Sequence, residues 1–216
     1  MIMRRIRGMA EARPAEPSPA SAIGAEDARS EAESAAPLRP QGPYDVSEVP
    51  TDAGPSRLDL GSLLITGRPE VEIRIELDQQ RQAVMAVTLV HGRGSAQLQV
   101  FAAPRSRATW PEVAEALRSQ ITEAGGQVST DAGPFGDELS TIVRTPDGGT
   151  QPARLVGING PRWLVRVTFL GAAAPVGGSP TLEQMVRDLI VVRGSQPLAP
   201  GEQVPFRAPA ALTADV

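Results

Sequence analysis

The chain has 216 residues, 41% of them hydrophobic and 21% charged, which suits one folded domain with flanking tails. Its net charge is -4 although all 21 basic side chains are arginine, so general DNA binding, which needs an excess of cations over phosphate, is disfavoured. The lack of cysteine removes disulfides, thiolate nucleophiles, thiolate zinc sites and iron–sulfur ligation together, and a single histidine cannot build a histidine metal site.

Residues 1–41 are Ala, Glu, Ser, Pro and Arg with almost no large apolar side chains, and they read as a disordered tail. Their basic opening lacks the apolar run of an export signal, and no window suits a membrane span, so a cytoplasmic location without membrane contact is expected. Residues 42–70 read as an extended arm laid over the domain, with Tyr44 and Leu60 as plugs; a sharper reading makes the arm a partner-binding segment.

The folded body is expected over 71–194. Val71, Ile73, Ile75 and Leu77 alternate with Glu72, Arg74 and Glu76 as a strand with one wet face. A turn at Asp78 to Arg81 leads to the apolar strand Ala83 to Val90, and a turn at Gly92 and Gly94 to the strand Ala96 to Phe101. Thr109 with Glu112 offers a capping box for a helix whose Trp110, Val113, Ala114, Leu117, Ile121 and Ala124 share one stripe, ended by Gly125-Gly126.

Strands follow around Gln127 to Thr130, Glu138 to Arg144, Pro152 to Ile158 and Arg162 to Leu170. Asn159-Gly160 favours a two-residue hairpin turn, which would set Gly157 opposite Arg162 and Leu155 opposite Leu164. A last helix is expected from Thr181 to Ile190, and residues 195–216 read as a Pro- and Ala-rich tail. Helices that do not alternate with strands exclude a doubly wound parallel sheet. The expected class is α+β: a mainly antiparallel sheet of about seven strands with two main helices.

Few residues offer bond-making chemistry. Asp137 and Glu138, adjacent on a strand, would point to opposite faces, and Asp147-Gly148-Gly149 reads as a turn. His91 is expected at an exposed strand end, and Ser62 and Ser106 lack a nucleophile-elbow pattern. Neither Gly92-Arg93-Gly94 nor Gly177-Gly178 has the spacing of a phosphate loop. No catalytic residue, cofactor or metal ligand is assigned.

The binding candidates are Arg162 and Arg166, placed on one face beside Gly157, with Arg154 nearby on the other face and Trp163 in the core. Such arginines suit a carboxylate, a phosphate or an acidic partner segment. The bland alternative pairs them internally with Glu72, Glu76 or Glu138.

The runs Gly42-Pro43-Tyr44-Asp45, Leu58-Asp59-Leu60-Gly61-Ser62, Leu98 to Arg105, Gly133-Pro134-Phe135-Gly136, Gly160-Pro161-Arg162-Trp163 and Val191-Val192-Arg193-Gly194 resemble the actinobacterial domain-of-unknown-function family numbered 3710. The resemblance brings no assigned activity; the gene neighbourhood of its members implies nucleotide or nucleic-acid housekeeping. The order of elements also resembles the PsbP/Mog-like sandwich, whose members act mostly as interaction modules. The leading expectation is a non-enzymatic module binding a protein partner. The alternatives are a nucleic-acid or nucleotide accessory protein using the arginines, and, last, a small-substrate enzyme using carboxylates.

Overall fold

The period-two segments build strands as their alternation requires, in a computed structural model that describes residues 41–49, 57–78, 83–145 and 147–207. The tail expected over 1–41 therefore falls, Gln41 apart, outside the described residues, as do most of the turn at Asp78 to Arg81 and the last stretch of the C-terminal tail. In chain order the elements are β1 (Tyr44–Asp45), β2 (Arg57–Asp59), β3 (Leu63–Thr66), β4 (Glu72–Asp78), β5 (Ala83–His91), β6 (Gly94–Ala102), α1 (Trp110–Glu123), β7 (Val128–Gly133) and β8 (Gly136–Arg144). They continue with β9 (Thr150–Gly160), β10 (Trp163–Gly171), α2 (Pro180–Arg187) and β11 (Ile190–Val191).

Seven strands form one antiparallel sheet in the order β4-β5-β6-β10-β9-β8-β7. The fold class is therefore α+β on an antiparallel sheet, as the element order requires. Four short strands make a second sheet, β1-β11-β3-β2, in which β1 runs parallel to β11. The segment read as an arm thus donates three of those strands, and Leu60, Leu63 and Ile65 are fully buried in the main core, while Tyr44 is half-buried. Among the described residues, no helix is long and apolar enough to cross a membrane.

The two helices serve opposite faces of the large sheet. Val165, Val167 and Phe169 of β10 pack with Leu182, Met185 and Val186 of α2 in the larger core. At about 1.5–3 kcal/mol for each fully buried large apolar side chain, those three α2 residues fix the helix to the sheet. On the other face Leu164 and Leu139 pack with Trp110, and Val113, Ala114 and Leu117 of α1 close over them.

Four local expectations are corrected. The hairpin turns at Pro161-Arg162, two residues later than Asn159-Gly160, so that Trp163 pairs with Gly160 and Arg166 with Gly157. Pro161 suits the first central position by its fixed φ, and Arg162 adopts φ 64° at the second. Gly160 is held in the strand because a Cβ there would lie 2.2 Å from the Trp163 indole. The Thr109–Glu112 capping box does not form: Asn159 Oδ1 accepts from the backbone N–H of Thr109 and Trp110 at 2.7 and 3.0 Å, and Glu112 pairs with Arg107.

The last helix stops at Arg187, three residues before the expected Ile190, because Ile190 and Val191 leave it to pair with Tyr44 and Asp45. The chain beyond Gly194 does more than trail. β5 and β6 pair only between Val87/Leu98 and His91/Gly94, and where they part, Gln203 bridges Phe101 and Phe206 bridges Val84. Val204 and Phe206 are buried core members.

Gly157→Ala places a methyl 1.9 Å from the Trp110 ring, so we expect a loss of about 1–3 kcal/mol in urea denaturation. Phe206→Ala should cost about 3–5 kcal/mol in the same assay; an unchanged midpoint would mean that the C-terminal segment does not belong to the core.

Candidate functional site

The three predicted arginines do not form one patch. Arg154 lies on the α2 face of β9 and is 1% exposed, with Nη1 donating to Glu138 Oε2 at 2.8 Å and Nη2 to Glu183 Oε1 at 2.5 Å. Its guanidinium stacks over Phe169, 4.4 Å from the ring centroid. This is the internal pairing anticipated for Glu138. Glu138 also accepts from the Phe135 N–H, and Glu183 from the Gly177 N–H, so the ion cluster ties β8, β9 and α2 together. A buried arginine committed to two carboxylates is not available to a ligand.

Arg162 occupies the β9–β10 turn with its side chain exposed, and its carbonyl accepts from Ala103 N and Arg193 Nε. Arg166 sits on the α1 face, half-buried. Its Nε and Nη2 both donate to Gln99 Oε1, at 3.1 and 2.5 Å, and its guanidinium lies 4.9 Å from the Phe101 ring centroid. Gly157 does face Arg166, but the room it leaves is filled by Trp110 rather than open to a ligand.

Arg166 borders a small cavity of about 160 Å³ with Phe101, Thr109, Val113, Leu164 and Gly201. Two groups there have unspent hydrogen-bonding capacity. Among the described residues no carboxylate pairs with Arg166, and burial alone moves its pKa below the ordinary guanidinium value. Thr109 Oγ1, relieved of capping by Asn159, is buried without a hydrogen-bond partner among the described residues.

Two buried carboxylates, Asp45 and Glu138, are engaged by internal donors. Asp45 accepts from Trp163 Nε1 at 2.8 Å and from Ser47, and Glu48 closes a capping box on it. Asp137 and Glu138 do take opposite directions, one exposed and one buried. His91 is half-buried rather than exposed, with Nδ1 3.2 Å from the hydroxyl of Ser179, the N-cap of α2. Among the described residues, no group of three or more His, Asp or Glu side chains is placed to hold a metal.

Sequence reasoning missed Arg193 as a site residue. Arg193 follows β11, is 8% exposed, and donates from Nε to Arg162 O and from Nη1 to Gln196 O, both at 3.2 Å. Burial first, and the Arg162 charge second, lower its pKa, while Glu202 acts in the opposite sense. It lines a cleft of about 380 Å³ with Gly61, Ser62, Ser195 and Arg207. The available signal was that two separated runs, Leu58 to Ser62 and Val191 to Gly194, both stood out in the sequence; the Val192 N–H bond to Ser62 O, 2.9 Å long, brings them together.

An antiparallel-sheet domain with a half-buried and a buried arginine at two cavities, neither ion-paired with a carboxylate among the described residues, is what fold and site define. Residues 42–215 match the family model described as a protein of unknown function, DUF3710, and the chain belongs to that family. No curated protein matches it significantly.

Arg154→Met leaves Glu138 and Glu183 without their cation, and we expect a loss of about 3–5 kcal/mol by urea denaturation. Adding Glu138→Gln should recover part of that loss.

Proposed function

We propose that this domain is a non-enzymatic, cytoplasmic interaction module that docks a protein partner by accepting one of its carboxylates at the Arg166 cavity. The observation that carries this reading is a half-buried guanidinium with no carboxylate among the described residues, next to the unpartnered Thr109 hydroxyl. A cation removed from bulk water gains most from an anion that reaches it in the same low-dielectric place, which is how buried charge selects a partner. Gln99 and Phe101 hold the guanidinium plane still, so little side-chain freedom is lost when a carboxylate arrives. Engagement of Asp45 and Glu138 by internal donors supports binding over acid–base chemistry. The nucleic-acid alternative would need several cations along a phosphate backbone, and the burial of Arg154 on the opposite face leaves the predicted set short.

The test is affinity purification of the tagged full chain from its host, with nuclease, beside Arg166→Gln. The expected outcome is a protein partner retained under nuclease and lost in the variant, with the variant's thermal transition shifted by less than about 4 °C. Partners released by nuclease, or an unchanged set with Arg166→Gln, would overturn the proposal.

A further inference from the structure

A second site, separate from the Arg166 cavity, is built where three distant segments meet. The turn between β2 and β3 brings Gly61 and Ser62, the stretch after β11 brings Arg193, and the C-terminal segment brings Arg207. Backbone bonds clamp them: Val192 N–H to Ser62 O at 2.9 Å, and Arg207 N–H to Leu60 O at 2.7 Å. Gly61, at φ 79°, has no Cβ, and one placed there would lie 2.9 Å from Arg207 Cγ, so the glycine lets the Arg207 stem cross the turn closely.

The donors in this cleft exceed the acceptors. Ser62 is 3% exposed and its hydroxyl has no hydrogen-bond partner among the described residues. Arg193 spends Nε and one Nη1 proton on backbone carbonyls, which leaves both Nη2 protons and the second Nη1 proton unused among the described residues. Arg207 adds an exposed cation at the rim, without a carboxylate partner among the described residues. Glu202, whose charge acts on Arg193, is turned to the Ala199 N–H. Leaving buried donors unmade is costly, and three guanidinium protons beside a hydroxyl match an oxyanion with several acceptor oxygens.

We propose that the Ser62–Arg193–Arg207 cleft is a binding site for a phosphate group, either free phosphate or the phosphate monoester of a small molecule. Arg193 supplies the fork, Ser62 donates its hydroxyl, and Arg207 balances the second negative charge. The cleft volume of about 380 Å³ exceeds one ion and leaves space for the organic part of a monoester.

The test titrates the full chain with inorganic phosphate and, in separate arms, ribose 5-phosphate, succinate and sodium chloride at matched ionic strength, read by calorimetry and thermal shift. Phosphate should bind and raise the transition temperature where chloride does not. Stronger binding of ribose 5-phosphate marks a monoester ligand, and equal or weaker binding marks the free ion; both support the site. Ser62→Ala removes an unpartnered hydroxyl, so its ligand-free transition should stay the same or rise, while phosphate affinity drops about tenfold. Arg193→Gln should abolish binding, and Arg74→Gln on the edge strand β4 should leave it unchanged. Because Ser62→Ala spares the fold, a folding defect in Arg193→Gln does not shield the proposal. No phosphate binding, a preference for succinate, or undiminished affinity in Ser62→Ala would each overturn it, and none of these bears on docking at Arg166.

Discussion

Two tryptophans seated in glycine slots on opposite faces of β9 set the rest of the structure. Trp110 occupies the space over Gly157 and Trp163 the space beside Gly160, each at a distance that any Cβ would violate. Both rings are buried, and each indole N–H finds an acceptor, Asp137 O for Trp110 and Asp45 Oδ2 for Trp163. A buried indole needs both its apolar contact and its hydrogen bond, so each ring fixes two elements at once. Trp110 anchors α1 to one face, with Asn159 from the same strand capping the helix; Trp163 draws the β1 segment to the other face. The hairpin register follows, since moving the turn to Asn159-Gly160 would take Gly160 away from the Trp163 ring.

Around that frame one residue type meets three fates. Arg154 is fully buried and neutralised by Glu138 and Glu183, a cluster whose attraction is offset by the desolvation of all three ions and which therefore fixes geometry more than it adds stability. Arg166 is half-buried against Gln99 and Phe101, and Arg193 is nearly buried against two backbone carbonyls. Neutral acceptors orient a guanidinium without cancelling its charge. Among the described residues the last two arginines therefore meet only neutral acceptors, where Arg154 meets two carboxylates.

The parts legible in the sequence are those governed by nearest-neighbour periodicity. Alternation in Glu72 to Leu77 and in Ala96 to Phe101 marks strands, the stripe through Val113 and Leu117 marks α1, and the parity of β10 places Trp163 and Arg166 on opposite faces even though the turn is displaced. What stayed hidden depends on residues far apart in the chain. Nothing local tells that Asn159 caps a helix fifty residues earlier, or that Ile190 and Val191 leave their helix to join Tyr44 and Asp45. Arg154 looked like a site residue because the partners that engage it lie sixteen positions before and twenty-nine after. Arg193 was overlooked for the same reason: Ser62, which lines its cleft, is remote in sequence, so the two runs that stood out carry no sign that they meet.

The C-terminal segment links these observations. A sheet strand left with unpaired backbone groups must find partners, and where β5 and β6 separate, the segment supplies them through Gly201, Glu202 and Val204. Phe206 and Val204 then enter the core as a consequence of that pairing. The same segment walls both cavities, Gly201 beside Arg166 and Val204 and Pro205 beside Arg193. A stretch rich in proline and alanine can do this because its few large side chains fall where the ladder turns them inward, and its remaining residues need only donate or accept from the backbone. The surroundings of Arg166 and Arg193 are thus shaped by a segment whose composition reads as a tail and whose placement makes it part of the sheet.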